Sequence, residues 1–128
     1  MTIEELLEKP YWIIDILPKQ VPKDSAGQYF AIEGFFLKEQ LTEIKKKHID
    51  VILKLNCYMD ISIDGEKNPA PEQIRDIMTE RYVYIMFRDS MILSEPDDTH
   101  MTVFNPDEEL LGLIREISSS EGLFVWKG

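Results

Sequence analysis

The sequence predicts a single α+β domain, residues 1–128, with one mixed, mainly antiparallel sheet and helices packed mostly on one face. Short apolar runs alternate along the chain with segments of helical periodicity. The predicted order of elements mixes local hairpins with helical crossovers, which favours a mixed sheet over a purely parallel one. The length of 128 residues suits one hydrophobic core, and no linker or internal repeat divides the chain.

The N-terminal part predicts a short helix, a strand and a loop. Thr2 and Glu5 have the spacing of a capping box, so a helix should begin there and run to Lys9, ahead of Pro10. The stretch YWIIDILP is rich in β-branched and aromatic residues and predicts a strand. The following KQVPKDSAGQ has the proline, serine and glycine content of a loop.

Residues 28–58 predict a long helix. Its apolar stripe, at steps of three and four, consists of Leu37, Leu41, Ile44, His48, Ile52 and Leu55. Thirty residues is long for a globular helix, so a break near Gly34 is expected. The segment 49–58 is also compatible with a strand.

The second half predicts strands at MDISIDG, YVYIMF, SMILSE, THMTVF and LFVWKG. Asn68 and Pro69 are expected to introduce a short helix between the first two of them. NPDEELLGLIREISSSEG carries the clearest helix signals of the chain, with Asn105 as N-cap, Pro106 at the first helical position and Gly122 just past the end.

Composition excludes several classes of function. The net charge of −10 argues against double-stranded nucleic acid and anionic membranes as ligands, while a basic protein partner remains compatible with it. A single cysteine allows no intrachain disulfide, and the acidic N-terminus lacks the features of a signal peptide. A cytoplasmic protein without a cofactor is therefore expected.

The stretch SEPDDTHMTVFN has two interpretations. Asp97, Asp98 and His100, with Glu95 nearby, are residue types that bind divalent cations, and they are the candidate metal ligands of this chain. Their spacing matches no established metal motif. The simpler interpretation is a hairpin turn in which Pro96 sets the first central position, the aspartates bond local amides and His100 faces solvent.

Other reactive residue types have structural interpretations. His48 lies on the apolar stripe of the long helix and is expected to be a partly buried structural residue, or a cation near a helix end. Cys57 has an apolar setting and is expected to be buried and inert. No nucleophile elbow, P-loop or dinucleotide fingerprint occurs, so no catalytic residue is nominated.

The aromatic residues give the most suggestive signal. In QYFAIEGFF, aromatic side chains occupy more than one side of the predicted helix, so some of them should reach the surface. Tyr29, Phe35 and Phe36 are the candidate interaction residues, and self-association is the simplest outcome.

Taken with YWIIDILPKQVP, VILKLNCY, DDTHMTVFNPDEEL and EGLFVWKG, the whole chain resembles a small family of bacterial proteins to which no activity is attached. The resemblance implies a bacterial cytoplasmic protein and transfers no site residue.

Two hypotheses of function follow from the sequence. The first is a non-enzymatic, acidic interaction or regulatory module that contacts another protein or a second copy of itself. An antitoxin- or immunity-type protein that neutralises a basic partner is a special case of it. The alternative is a small-ligand or divalent-metal-dependent enzyme that uses the Glu95–His100 hairpin.

Overall fold

One seven-stranded sheet and five helices make up the computed structural model, which describes all 128 residues. The helices are α1 (Ile3–Leu7), α2 (Tyr29–Glu39), α3 (Leu41–Asn56), α4 (Pro71–Glu80) and α5 (Glu108–Ser120). The strands are β1 (Tyr11–Asp15), β2 (Ser62–Ile63), β3 (Glu66–Lys67), β4 (Val83–Phe87), β5 (Ser90–Ser94), β6 (Met101–Phe104) and β7 (Phe124–Lys127).

The strand order is β3-β2-β4-β5-β6-β1-β7, and every pairing is antiparallel. The predicted α+β class with a single, mainly antiparallel sheet is therefore confirmed, and the sheet has no parallel pair. Strands β4, β5 and β6 are joined in sequence, whereas the N-terminal β1 lies between β6 and the C-terminal β7. The first and last strands of the chain thus pair at one end of the sheet, with β7 as the edge strand.

Helices α3, α4 and α5 cover one face of the sheet, as predicted for most of the helices. Alternation along the strands produces this face: Val83, Ile85 and Phe87 of β4 are buried, while the intervening Tyr84 and Met86 are half-buried. The main core contains 19 buried side chains from these helices and from the strands beneath them. On the opposite face, Leu6 of α1 packs on Met91 and Phe104.

The long helix predicted for residues 28–58 is two helices. The break lies at Gln40, whose φ of −128° and ψ of 10° are not helical, and not near Gly34. Residues 49–56 are helical, so the strand alternative for this segment is wrong. These residues are helical because they continue the buried apolar stripe of α3, which packs on the sheet over four turns.

Two predicted helix starts are wrong. Asp107, and not Asn105, is the N-cap of α5, since its carboxylate accepts from the Leu110 N–H at 2.8 Å. Asn105 has a φ of 58° and donates its side-chain amide to the Asp89 carbonyl. Helix α4 begins at Pro71 after Ala70, because Asn68 is engaged elsewhere: its Oδ1 accepts from the Ile61 N–H at 3.0 Å.

Candidate functional site

The Glu95–His100 segment is a hairpin turn between β5 and β6, as the simpler interpretation predicted. The Asp98 N–H donates to the Glu95 carbonyl at 3.4 Å, which places Pro96 at the first central position of the turn. The Asp98 carboxylate accepts from the Thr99 N–H at 2.9 Å. Asp97 is exposed and makes no such bond, so one aspartate and not both holds the turn.

His100 is paired with Asp98 and does not simply face solvent. Its Nδ1 lies 2.9 Å from Asp98 Oδ1, and the two side chains are 38% and 28% exposed. The hydrogen bond to Asp98 raises the pKa of His100 above its usual value, against the opposing effect of burial. Burial also acts to raise the pKa of Asp98, but the hydrogen bonds from His100 and from the backbone outweigh it and lower that pKa to about 2.

A small cleft opens beside this pair. Its volume is about 210 Å³, and it is lined by Ile13, Asp15, Leu17, Lys19, Gln20, Val21, Tyr29, His100 and Trp126. Burial raises the pKa of Asp15, while the Ile16 N–H, which donates to its Oδ1 at 2.8 Å, opposes that rise. The indole N–H of Trp126 is buried without a hydrogen-bond partner, yet near enough to Asp15 to favour the ionised carboxylate.

Tyr29 is the only predicted interaction residue in this cleft. Its hydroxyl donates to Glu33 Oε2 at 2.6 Å, and this bond raises its pKa to about 12. Phe35 and Phe36 do not line the cleft. The sequence-predicted aromatics therefore separate, with one beside carboxylates and two elsewhere on α2.

Behind the turn, α3 carries a buried polar pair. Lys45 is 6% exposed, His48 is fully buried, and Lys45 Nζ lies 3.0 Å from His48 Nδ1. Burial lowers the pKa of Lys45 to about 8, opposed by the carboxylates of the hairpin turn. Burial, with the nearby Lys45 cation, lowers the pKa of His48 to about 3. His48 is thus a neutral acceptor for the lysine, more deeply buried than the sequence predicted.

A larger groove runs between α3 and α4. Its volume is about 560 Å³, within the range of ligand and peptide sites. Helix α3 contributes Leu41, Thr42, Lys45, Lys46, Ile49, Asp50 and Leu53, helix α4 contributes Pro71, Glu72, Arg75 and Thr79, and the hairpin turn contributes Pro96. The groove is therefore mixed, with aliphatic and proline surfaces between charged side chains.

Helix α2 has no buried residue, although it is the most apolar of the four longer helices, α2 to α5. Its half-buried side chains, Glu33, Phe36 and Leu37, lie on one side. The remaining side chains are exposed to solvent, and we call four of them, Phe30, Ala31, Gly34 and Phe35, the α2 patch; Lys38 borders it at the C-terminal end of the helix. Phe30 is 83% exposed and Phe35 54% exposed.

The candidate metal ligands are only partly assembled. Asp98 and His100 are in contact, but nowhere in the chain are three His, Cys, Asp or Glu side chains grouped as a metal site requires. A metal at Asp97, Asp98 and His100 remains a prediction. The interpretation of Cys57 as buried is wrong: the residue follows the last turn of α3, beyond the apolar stripe, and is exposed.

Sequence reasoning missed several site residues. Lys45 was not nominated, although its i, i+3 spacing from His48 places both on one face of α3. Asp15 and Trp126 meet only because β1 and β7 pair, with Ile13 opposite Trp126. No local signal could have predicted that pairing.

No family model, no curated protein and no solved structure matches this chain. The expected resemblance to a bacterial family thus remains an expectation. None of the five helices is both long and apolar enough to span a bilayer.

Proposed function

We propose that this protein is an acidic protein-interaction module and that the α2 patch is its contact surface. The observation that carries the proposal is the exposure of the patch. An apolar helix is normally buried on at least one face, yet α2 buries no side chain and leaves two phenylalanines in water. Covering a phenylalanine side chain contributes about 2–3 kcal/mol, which makes the patch a strong site for a protein partner.

The composition of the patch supports this role. Ala31 and Gly34 lie between Phe30 and Phe35, and a Cβ placed on Gly34 would meet nothing within 4 Å. Small residues in the centre let a partner approach the helix backbone closely, and the flanking aromatic rings supply the contact area of interface hot spots.

The proposal is tested with the double variant Phe30→Ser/Phe35→Ser. Both side chains are exposed, so we expect the fold to persist while association with a second copy or with a captured protein falls sharply. Light scattering after size-exclusion chromatography, together with affinity capture from the native host, measures this. Tyr58→Ser is the matched control, because Tyr58 is 69% exposed and lies outside α2. Equal association of the double variant and the parent would contradict the proposal.

A second function, binding of a small polar ligand, is favoured by the cleft beside His100. Asp98 fixes the orientation of the imidazole, and Asp15 and the unpartnered indole N–H of Trp126 lie on the same cleft. These groups support the alternative of a small-ligand or divalent-metal-dependent enzyme that uses the Glu95–His100 hairpin. Thermal shift with zinc, manganese and calcium, on the parent and on His100→Ala, tests the metal-dependent form. No rise in melting temperature with any of the three ions would exclude that form.

A further inference from the structure

We propose that the partner of the α2 patch is a second copy of this chain, and that each copy docks its α2 helix in the α3–α4 groove of the other. This inference rests on the proposed function, because it names the occupant of a surface already argued to bind protein. It joins two features that are otherwise unrelated, an uncovered apolar helix and an empty groove between two helices.

The dimensions of the helix and the groove agree. At 1.5 Å per residue, the 11 residues of α2 span about 16 Å. The groove follows α3 from Leu41 to Leu53, about 18 Å by the same rise. The groove is therefore long enough to hold the full length of α2, laid between two other helices.

The helix cannot occupy the groove of its own chain. To lie beside α3 it would have to run antiparallel to it, and antiparallel helices are joined by loops of about two to five residues. Only Gln40 separates α2 from α3. The occupant must therefore come from another molecule, while each chain's own α2 leaves the groove at the end where Leu41 lies.

The charges of the two surfaces do not oppose docking. The groove carries Lys45, Lys46 and Arg75 against Asp50 and Glu72, a local excess of cations in a chain where carboxylates outnumber them. Helix α2 has two glutamates and one lysine, but Glu33 lies on its packed side and accepts from Tyr29, so Lys38 and Glu39 are the charged side chains left in solvent. Docking thus places a helix face without net charge against a groove with a small excess of cations, and it avoids contact between the acidic surfaces of the two copies.

The buried surface area is sufficient for a specific dimer if each copy docks its α2 helix in the groove of the other. With about 200 Å² for a whole aromatic side chain, the exposed parts of Phe30 and Phe35 and the small residues between them give roughly 300 Å². A similar area of groove is covered, and two-fold symmetry doubles both. The total is on the order of 1,200 Å², the lower end of stable interfaces, whereas one docked helix alone would give about half of it.

The test uses a helix variant and a groove variant. The helix variant is Phe30→Ser/Phe35→Ser, and the groove variant is Thr42→Arg/Thr79→Arg, which places bulky charge on two exposed residues of the groove. Circular dichroism and thermal melting confirm that both remain folded. Light scattering after size-exclusion chromatography gives the mass, against 15.0 kDa for one chain.

We expect the parent and Tyr58→Ser to dimerise and each variant alone to be monomeric. Each phenylalanine should weaken the dimer about 30-fold, as interface hot spots do. A mixture of the two variants should form a heterodimer that neither forms alone, at concentrations far above those at which the parent dimerises, because one intact helix then meets one intact groove over about half the area. This complementation is specific to reciprocal docking.

The other outcomes separate the two proposals. A groove variant that dimerises like the parent would overturn docking in the groove and leave the α2 patch as the contact surface. A parent that stays monomeric, but loses a captured protein on the Phe30→Ser/Phe35→Ser change, would overturn self-association alone. A parent that stays monomeric and captures nothing through α2 would overturn both.

Discussion

At the scale of single residues, the polar side chains around the hairpin turn divide into a charged pair and a buried pair. Asp98 and His100 stabilise each other's charged forms at a partly exposed position. Lys45 and His48 are held inside the protein, where the charged forms are disfavoured. The two pairs therefore respond to pH in opposite ways.

The Asp98–His100 pair contributes most to the free energy of unfolding between about pH 4 and 6.5. The pKa of Asp98 is depressed, so its contribution is present above its ordinary value of 3.8 and is lost as the pH falls toward 2. The pKa of His100 is raised, so its contribution is present below 6.5 and is lost as the pH rises through the folded value. The pair is partly exposed, and its contribution should be less than about 1 kcal/mol.

Asp98→Asn is expected to lower the pKa of His100, because it removes the carboxylate that raises it. NMR titration of the imidazole resonances measures this directly. His48 should not titrate near neutral pH and serves as an internal reference. Asp97→Asn is the matched control, since Asp97 does not contact His100. Equal pKa values of His100 in Asp98→Asn and the parent would refute the pairing.

Lys45→Met is expected to raise the free energy of unfolding at pH 7 by about 1–2 kcal/mol. The lowered pKa of Lys45, about 8 against 10.5, means that its burial destabilises the fold below pH 8 and that this cost falls as the pH rises toward 10.5. The gain in the free energy of unfolding is limited, because His48 loses its hydrogen-bond donor in Lys45→Met.

Urea unfolding at pH 7 and pH 10 checks this expectation, and the gain should shrink at the higher pH. Lys46 is exposed and serves as the control: the free energy of unfolding of Lys46→Met should stay within about 0.5 kcal/mol of the parent value. A loss of stability in Lys45→Met at pH 7 would show that the carboxylates of the turn hold the lysine more strongly than its burial opposes it.

At the scale of elements, helix α2 is the one that departs from ordinary globular packing. Its amino acids predict a helix, but its apolar residues are distributed around it rather than concentrated on one face. The chain also places Gly34 in the middle of its solvent face, where glycine costs about 1 kcal/mol relative to alanine. A contact surface that needs close approach explains both features.

Two substitutions at Gly34 separate stability from association. Gly34→Ala should raise the free energy of unfolding by about 0.5–1 kcal/mol and leave association nearly unchanged. Gly34→Leu should also favour the helix, yet weaken association at least tenfold, because its side chain stands between Phe30 and Phe35 where a partner approaches. Thermal melting and analytical ultracentrifugation measure the two effects. Unchanged association in Gly34→Leu would argue against a partner on this face.

The sequence predicted elements well where the signal was local. Helix and strand types followed from periodicity, and the turn at Pro96 followed from proline and aspartate chemistry. Boundaries set by distant contacts were missed. Asn105 is drawn into a contact with Asp89 and so leaves the cap of α5 to Asp107, and Asn68 holds the β2–β3 hairpin through Ile61 and Asn56.

The site was less predictable than the fold for the same physical reason. The cleft and the groove are formed by pairings between segments far apart in the chain, such as β1 with β7 and α3 with α4. Exposure of the α2 aromatics was expected from their distribution around the helix, but which of them would be exposed depended on what α2 packs against. Phe35 lies on the solvent face as expected, whereas Phe36 is half-buried.

At the scale of the whole molecule, the protein has one well-packed core and one helix, α2, that is left exposed. The core side, with α3, α4 and α5, is complete. Helix α2 contributes no side chain to it and is joined to α3 through a single residue. The proposed partner would cover the helix that this chain leaves exposed.

Hydrogen–deuterium exchange of residues 29–39, followed as a function of protein concentration, tests this claim most directly. In the monomer, few buried contacts protect α2, so its amides should exchange quickly, far faster than those of α3. We predict that protection of α2, and of the groove residues on α3 and α4, rises together with concentration while protection of α5 stays constant. Exchange of α2 that is unchanged at all concentrations, or that is as slow as α3 in the dilute monomer, would contradict it.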